Sequence, residues 1–418
     1  MKLLSQSGIY LGASLLSKAA PFLLLPVMTR YLNPAEFGAL SLFLLINSCV
    51  GAFVGMNIHA NISRSFFSLS KSELSELIGN ILVIMFFAAV FVTVLFSGAM
   101  LFVDSAFSLP ISSFLIMPFL SFMMMVNTIN LTILRNEGRA YVYGLFEVAC
   151  TFLIISITVC LLLFSDGGWY SQVVGMLVTY GVFFFIAIIY MSRRGYLRLN
   201  VLRGEIERIL KLSAPMIPYV LSGVVMNVSD RVFIERMVGL DAVGHYAIGY
   251  NFGMIVLICT DAFNKAWSPW FYKLMLSPVA GGKEKVVRYT YLYIVFIFAL
   301  AALVALASSF VIPWMVAESF YEASAYVFWI ALAFAIQGVY KMLFPYFILV
   351  DKYYALSGVL VISALLNLLF NYLLIGWFGA VGAAYSSALA WAVAVFLAFL
   401  YTRKFYAMPW GLRHEEVD

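Results

Sequence analysis

Charge, histidine and cysteine are all scarce in this chain. Only 11% of its 418 residues are charged, against 64% hydrophobic, and the mean hydropathy is +1.00. That balance excludes a soluble globular protein. Three histidines leave little material for a zinc centre or a His-based catalytic cluster. The four cysteines, Cys49, Cys150, Cys160 and Cys259, all lie in apolar runs without metal-ligand spacing. They read as small core residues rather than a disulfide framework. There is no Walker A pattern or glycine-rich nucleotide loop, and nothing points to nucleic acid, a cofactor or a metal. Any work the protein does then draws on an ion gradient, the membrane potential or the gradient of its own cargo. No stretch of soluble composition is long enough to form a separate domain.

What the chain has is apolar runs of 20 or more residues, each able to cross a hydrocarbon layer of about 30 Å. The expected fold class is an all-α integral membrane protein with about twelve transmembrane helices. Their limits read as 8–30, 36–61, 77–103, 110–134, 140–164, 169–191, 211–236, 241–264, 287–310, 324–349, 353–376 and 380–402. The opening run continues past Pro21 to Met28, so it reads as a retained first span rather than a cleaved signal. The two longest connections, between spans six and seven and between eight and nine, come to about twenty residues each.

Charge placement predicts orientation. With both ends cytoplasmic, twenty of the 25 basic residues fall on inner segments, and only Arg30 and Arg236 on outer ones. Three basic residues belong to no loop: Lys18, Arg231 and Lys341. Inside a span a cation costs roughly 2.5–3.5 kcal/mol on insertion scales, so these three carry the most information.

Two stretches read as an internal repeat. Residues 30–42 (RYLNPAEFGALSL) align without gaps with 236–248 (RMVGLDAVGHYAI). RNEGRAYVYG and LVDKYYALSG occupy equivalent inner turns, with Glu137 facing Asp351 and Gly144 facing Gly358. Two matches in one order predict a six-plus-six duplication. The expected lobes are residues 1–195 and 211–418, the second with a short cytoplasmic tail, joined by a cytoplasmic linker over 196–210. An even number of spans per half makes the repeat parallel, a pseudo-two-fold along the membrane normal, and suggests a V-shaped exporter with a central cleft.

Polar stripes mark candidate cavity faces. Span seven carries Tyr219, Asn227 and Asp230/Arg231 at helical spacing. Span ten presents Gln337 and Lys341, and span eleven adds Ser363, Asn367 and Asn371. Span two has Asn47 and His59, and span four Asn127 and Asn130. Asparagine and serine stripes also simply pack helices, and that reading stands beside the functional one. For the lysines the balance differs. Lys18 and Lys341 lie roughly 15 and 12 Å deep, and neither has an acid at i±3 or i±4. An unpaired lysine at that depth suits water or an anion better than lipid. Arg231 either faces cargo, snorkels or pairs with Asp230. Glu147, roughly 10 Å into span five, is either a coupling site for a proton or cation, or a lysine partner. His245 reads as isolated near the outer end, and Glu235 and Arg236 as interfacial. A cationic cavity selects anionic cargo, with phosphate the natural class.

The segment SDRVFIERMVGLDAVGHYAIGYNF resembles the polysaccharide-transport (O-antigen flippase) branch of the multidrug/oligosaccharidyl-lipid/polysaccharide exporter superfamily. LPVMTRYLNPAEFGALSLF, AFNKAWSPWFYKLM and GWFGAVGAAYSSALA are similar to further segments of that family, in family order. The resemblance implies a flippase in a bacterial inner membrane. It would move undecaprenyl-diphosphate-linked oligosaccharide from the cytoplasmic to the periplasmic leaflet by alternating access. Lys18, Arg231 and Lys341 would be its cargo-facing cations. Membrane lipids, a polysaccharide polymerase and a chain-length regulator follow as partners. The competing reading is a small-molecule antiporter of the multidrug and toxin extrusion type, which predicts a net acidic cavity. An enzyme is disfavoured, because the longest outer loop is only about fourteen residues.

Overall fold

The computed structural model describes residues 2–55, 62, 65–99, 101–102, 105–200, 204, 207, 217–276 and 281–411. Within these, the side chains of residues 2–11, 14–15, 18, 20–21, 105–106, 217–222, 224–225, 227 and 353 are not described. Lys18, Tyr219 and Asn227 therefore have a place on a helix but no side-chain account, and His59 lies outside the described residues.

Among the described residues twelve long helices follow the apolar runs. They are α1 (Lys2–Tyr31), α2 (Pro34–Gly55), α3 (Lys71–Ala99), α4 (Ser112–Asn136), α5 (Ala140–Phe164) and α6 (Tyr170–Arg193). Then come α7 (Ile217–Met237), α8 (Leu240–Leu276), α9 (Gly282–Met315), α10 (Ser324–Leu349), α11 (Tyr353–Phe378) and α12 (Val381–Phe405). By length and composition, ten of them can cross a membrane, all except α1 and α7. At 1.5 Å per residue those two, with 30 and 21 residues, also reach about 30 Å or more. The chain is a multi-pass membrane protein. Its one strand pair among the described residues is a hairpin, Ser105–Ala106 with Leu109–Pro110. Phe107 and Ser108 both take positive φ there, the conformation of a tight two-residue hairpin turn.

The eighth span differs from expectation. Its helix runs to Leu276 and α9 starts at Gly282, so only a few residues connect them. The NKAWSPWFYK stretch is too polar for a hydropathy window but has helical aromatic spacing. Trp267 and Phe271 are buried at i, i+4, while Lys265 and Lys273 lie off that face.

Packing divides the chain into two compact units, Met1–Val224 and Val225–Asp418. In the first, α4 packs on α2, α3, α5 and α6; in the second, α10 packs on α8, α9, α11 and α12. Each hub is the fourth helix of its set. The turns that end the hubs are alike as well. Arg139 N–H donates to the Leu134 carbonyl and Gly138 N–H to Arg135; Lys352 N–H donates to Phe347 and Asp351 N–H to Ile348. This is the 6→1, 5→2 pattern that closes a helix with one left-handed residue. That residue is Gly138 (φ 72°) in one unit and Asp351 (φ 55°) in the other. The equivalent of Asp351 is thus Gly138, one position later than the sequence alignment placed it. Side-chain identity had paired the two acids, whereas the backbone pairs the two left-handed residues. The other repeat keeps its register: α1 and α7 end at Tyr31 and Met237, and α2 and α8 begin at Pro34 and Leu240.

In the first unit, Glu137 ends α4 as a latch. Tyr190 and Tyr196 hydroxyls each donate to it at 2.9 Å, and Arg139 Nε lies 3.1 Å away. Burial, then the bond to Glu137, pushes the Tyr196 hydroxyl up to about 12, so it stays a donor at any physiological pH. From there residues 196–200 run along the start of α3. Arg198 N–H donates to the Ser75 carbonyl, and Asn80 Nδ2 donates to the Asn200 carbonyl at 3.0 Å. Gly79 permits this approach, because a Cβ there would collide with the Arg198 carbonyl.

Candidate functional site

The doublet Asp230/Arg231 sits in α7, four helical positions beyond Met226, whose side chain is buried against Ala364 and Ala390. Asp230 is almost fully buried, and three neighbouring helices each supply it a donor. Tyr246 of α8 donates its hydroxyl at 2.8 Å, Asn371 of α11 its Nδ2 at 2.9 Å, and Ser387 of α12 its Oγ at 2.6 Å. A second tier carries the same polar seam onward. Ser229 Oγ donates to Asn367 Oδ1 at 2.7 Å, Asn367 Nδ2 donates to Ser386 Oγ at 3.2 Å, and Asn371 Nδ2 also reaches Ser229 Oγ at 3.1 Å. Removing a carboxylate from water costs several kcal/mol, and only multiple charge-assisted bonds offset it. Asn371 Oδ1 is buried with no hydrogen-bond partner among the described residues. A cavity of about 20 Å³ beside Asp230 has room for a single water-sized guest.

Arg231 makes an aromatic contact. Its guanidinium stacks 4.4 Å from the centre of the Tyr250 ring, worth roughly 0.5–2 kcal/mol. Its Nε is buried without a hydrogen-bond partner among the described residues. To the readings left open by the sequence the geometry adds an aromatic contact, made from a buried position beside Asp230.

Lys341 is not unpaired. Its ammonium lies 2.6 Å from Oδ1 of Asp261, on α8, with the two side chains 21% and 38% exposed. A pair so wetted contributes about 0.2–1 kcal/mol. The sequence search looked for acids one turn away on the same helix; the partner stands 80 residues earlier. Asp261 is the partner that helical spacing did not reveal, and an acid near the inner end of span eight was the available signal. Gly338 lets α8 come close enough for this contact, since a Cβ there would sit 2.6 Å from Thr260 Cγ2. Gln337, one turn before Lys341, has its Oε1 buried with no hydrogen-bond partner among the described residues.

Two other expectations change. His245 is held, not isolated: its Nε2 lies 2.9 Å from the Ser319 carbonyl oxygen and its Nδ1 3.3 Å from Glu322. Glu235 is buried rather than interfacial, with Arg236 Nε at 3.3 Å.

The first unit carries a cavity of about 410 Å³ between α1, α2, α4, α5 and α6. Met124, Met125, Phe146 and Met176 give it an apolar lining, and Glu147, Gln172 and Tyr180 add polar groups. Thr151 on its wall donates to Ser17 Oγ at 3.1 Å, tying α5 to α1. Asn47 and Asn127 serve packing here: Ser121 donates to Asn47 Oδ1, and Asn127 Nδ2 reaches the Tyr180 carbonyl.

Helices grouped around the hubs α4 and α10, with buried carboxylates and a cavity, define an all-α multi-pass membrane protein. The chain belongs to the polysaccharide biosynthesis protein family, which matches residues 3–275. It is 24% identical over 397 residues to the Lsg locus putative protein 1 of Haemophilus influenzae, covering 89% of this chain and 92% of that one. Among solved structures, the inward closed lipid II flippase MurJ superposes with a TM-score of 0.69 at 14% identity, over 96% of this chain and 87% of that one. An inward-facing multidrug resistance MATE family transporter of the MOP superfamily gives 0.68 at 14%, over 94% and 93%. Both solved structures share the fold of this chain.

Proposed function

We propose that the protein is a flippase for undecaprenyl-diphosphate-linked oligosaccharide repeat units of an O-antigen or related surface polysaccharide. It works by alternating access between the cytoplasmic and periplasmic leaflets of a bacterial inner membrane, with both termini cytoplasmic. The observation that carries this reading is a part-exposed ammonium, Lys341, far inside a membrane helix of a polysaccharide-family exporter. The cargo's diphosphate supplies the charge such a group attracts. Lys18 in α1 and Arg231 in α7 are the other cargo-facing candidates. Asp230 is the coupling carboxylate. Its three donors come from three different helices, so taking up a proton or one small cation there alters contacts among α7, α8, α11 and α12 together. The flipped product then passes to a polysaccharide polymerase and a chain-length regulator.

The test is a deletion strain carrying Lys18→Ala or Lys341→Ala. Both variants should express normally and fail to support surface glycan. Full-length glycan at wild-type level from both would overturn the cationic-cavity mechanism. A second reading, a small-molecule antiporter, is favoured by one observation, the apolar cavity of the first unit with Glu147 in its wall. Such a site suits an amphipathic cation. Ethidium efflux lost in Glu147→Gln, with glycan intact, would support it.

A further inference from the structure

The family reading puts a phosphate-seeking lysine in a carrier bathed by phospholipid, and phospholipid headgroups are phosphates too. The geometry points to Asp261 as the residue that tells them apart. We propose that Asp261 is a built-in counter-anion: it occupies Lys341 against singly charged phosphodiesters and yields to a diphosphate. The inference rests on the flippase reading for its cargo and on the Lys341–Asp261 pair for its mechanism.

Three observations carry it. Asp261 Oδ1 is already 2.6 Å from the Lys341 ammonium, so a headgroup bearing one negative charge gains little by replacing it. Both side chains are partly exposed, so the pair is accessible and weak enough to be exchanged. Finally, Lys265 follows Asp261 by one helical turn and is exposed. Side chains at i and i+4 are neighbours on a helix, so two cations flank the one carboxylate. A group with two negative phosphates can neutralise both lysines, whereas a monophosphodiester brings charge for only one. Gln337 adds an unfilled acceptor one turn from Lys341, suited to a donor such as a sugar hydroxyl. Discrimination here comes from an element that disfavours the wrong ligand, not from extra affinity for the right one.

The full chain in neutral phosphatidylcholine nanodiscs would be titrated with phosphatidylglycerol and, separately, with a polyprenyl diphosphate, with binding read by native mass spectrometry. Asp261→Asn should raise phosphatidylglycerol affinity by about fivefold or more and change diphosphate affinity by less than about threefold. Asp261→Glu should restore the wild-type ratio, and the double variant Asp261→Asn/Lys341→Gln should lose the gain. An unchanged ratio in Asp261→Asn, or a gain that survives in the double variant, would overturn the proposal. A wild-type chain that ignores the diphosphate while Asp261→Asn gains phosphatidylglycerol would sink the cargo reading and leave the screening role supported.

Discussion

The two units handle their polar groups in opposite ways. The first surrounds about 410 Å³ of space with mostly apolar walls and sets Glu147 at its edge. The second packs Asp230 among donors from α8, α11 and α12 and leaves about 20 Å³ beside it. One unit keeps volume and the other keeps connectivity. Helix order and hub turns repeat between them, but the chemistry does not. A repeated scaffold thus carries two different polar arrangements, a cavity in one unit and a hydrogen-bonded carboxylate in the other.

The strongest way to break this contrast is at Asp230. Asp230→Ala leaves donors of Tyr246, Asn371 and Ser387 buried without their acceptor, at about 1–3 kcal/mol each. Transport in liposomes should fall by about 100-fold or more, and the thermal midpoint should drop. Asp230→Asn should keep more of the fold yet lose dependence on the driving ion. An Asp230→Asn carrier with wild-type ion dependence would remove the second unit's assigned role.

Filling the first unit's space comes next. Thr151→Trp or Met176→Trp should reduce transport by about tenfold while costing less than about 2 kcal/mol in stability, because the cavity accepts the added volume. In the second unit Ser387→Phe has no comparable space and should destabilise first. Equal responses at both places would erase the distinction.

A smaller effect is expected at the latch. Glu137→Ala strands two tyrosine hydroxyls and should cost about 1–3 kcal/mol, seen as a lower thermal midpoint with transport retained. The smallest effects belong to the hub turns. Gly138→Ala should destabilise by about 1 kcal/mol and Asp351→Gly should be neutral or stabilising by less than that, measured by thermal unfolding. A reversed sign at either position would mean that the backbone correspondence of the two turns does not reflect their energetics.

Spans were legible because a 20-residue apolar run has few alternatives, and α5 and α10 match their expected limits to the residue. The extension of α8 was not, because hydropathy windows respond to polarity while helices respond to periodicity. Asn367 and Asn371 were visible as a stripe, but nothing local told packing from function; in the structure they tie α11 to α7 and α12 through Ser229, Asp230 and Ser386. The partners of Asp230 were hidden for a plainer reason. Asn371 and Ser387 lie 141 and 157 residues away, and a helical face predicts its own i+4 neighbours only. The same limit concealed Asp261 from Lys341.

The spread of that network also bears on how the protein is made. When α7 leaves the ribosome, Asp230 and Arg231 must enter lipid before α11 and α12 have been synthesised. At roughly 5–20 residues per second the Ser387 hydroxyl arrives about 8–30 s later. During that interval Asp230, a charge costing roughly 2.5–3.5 kcal/mol in a lone helix, lacks two of its three donors. Helix α7 is then the segment most in need of an insertase or of shelter at the translocon, and its integration, unlike that of α5, should wait for the end of translation.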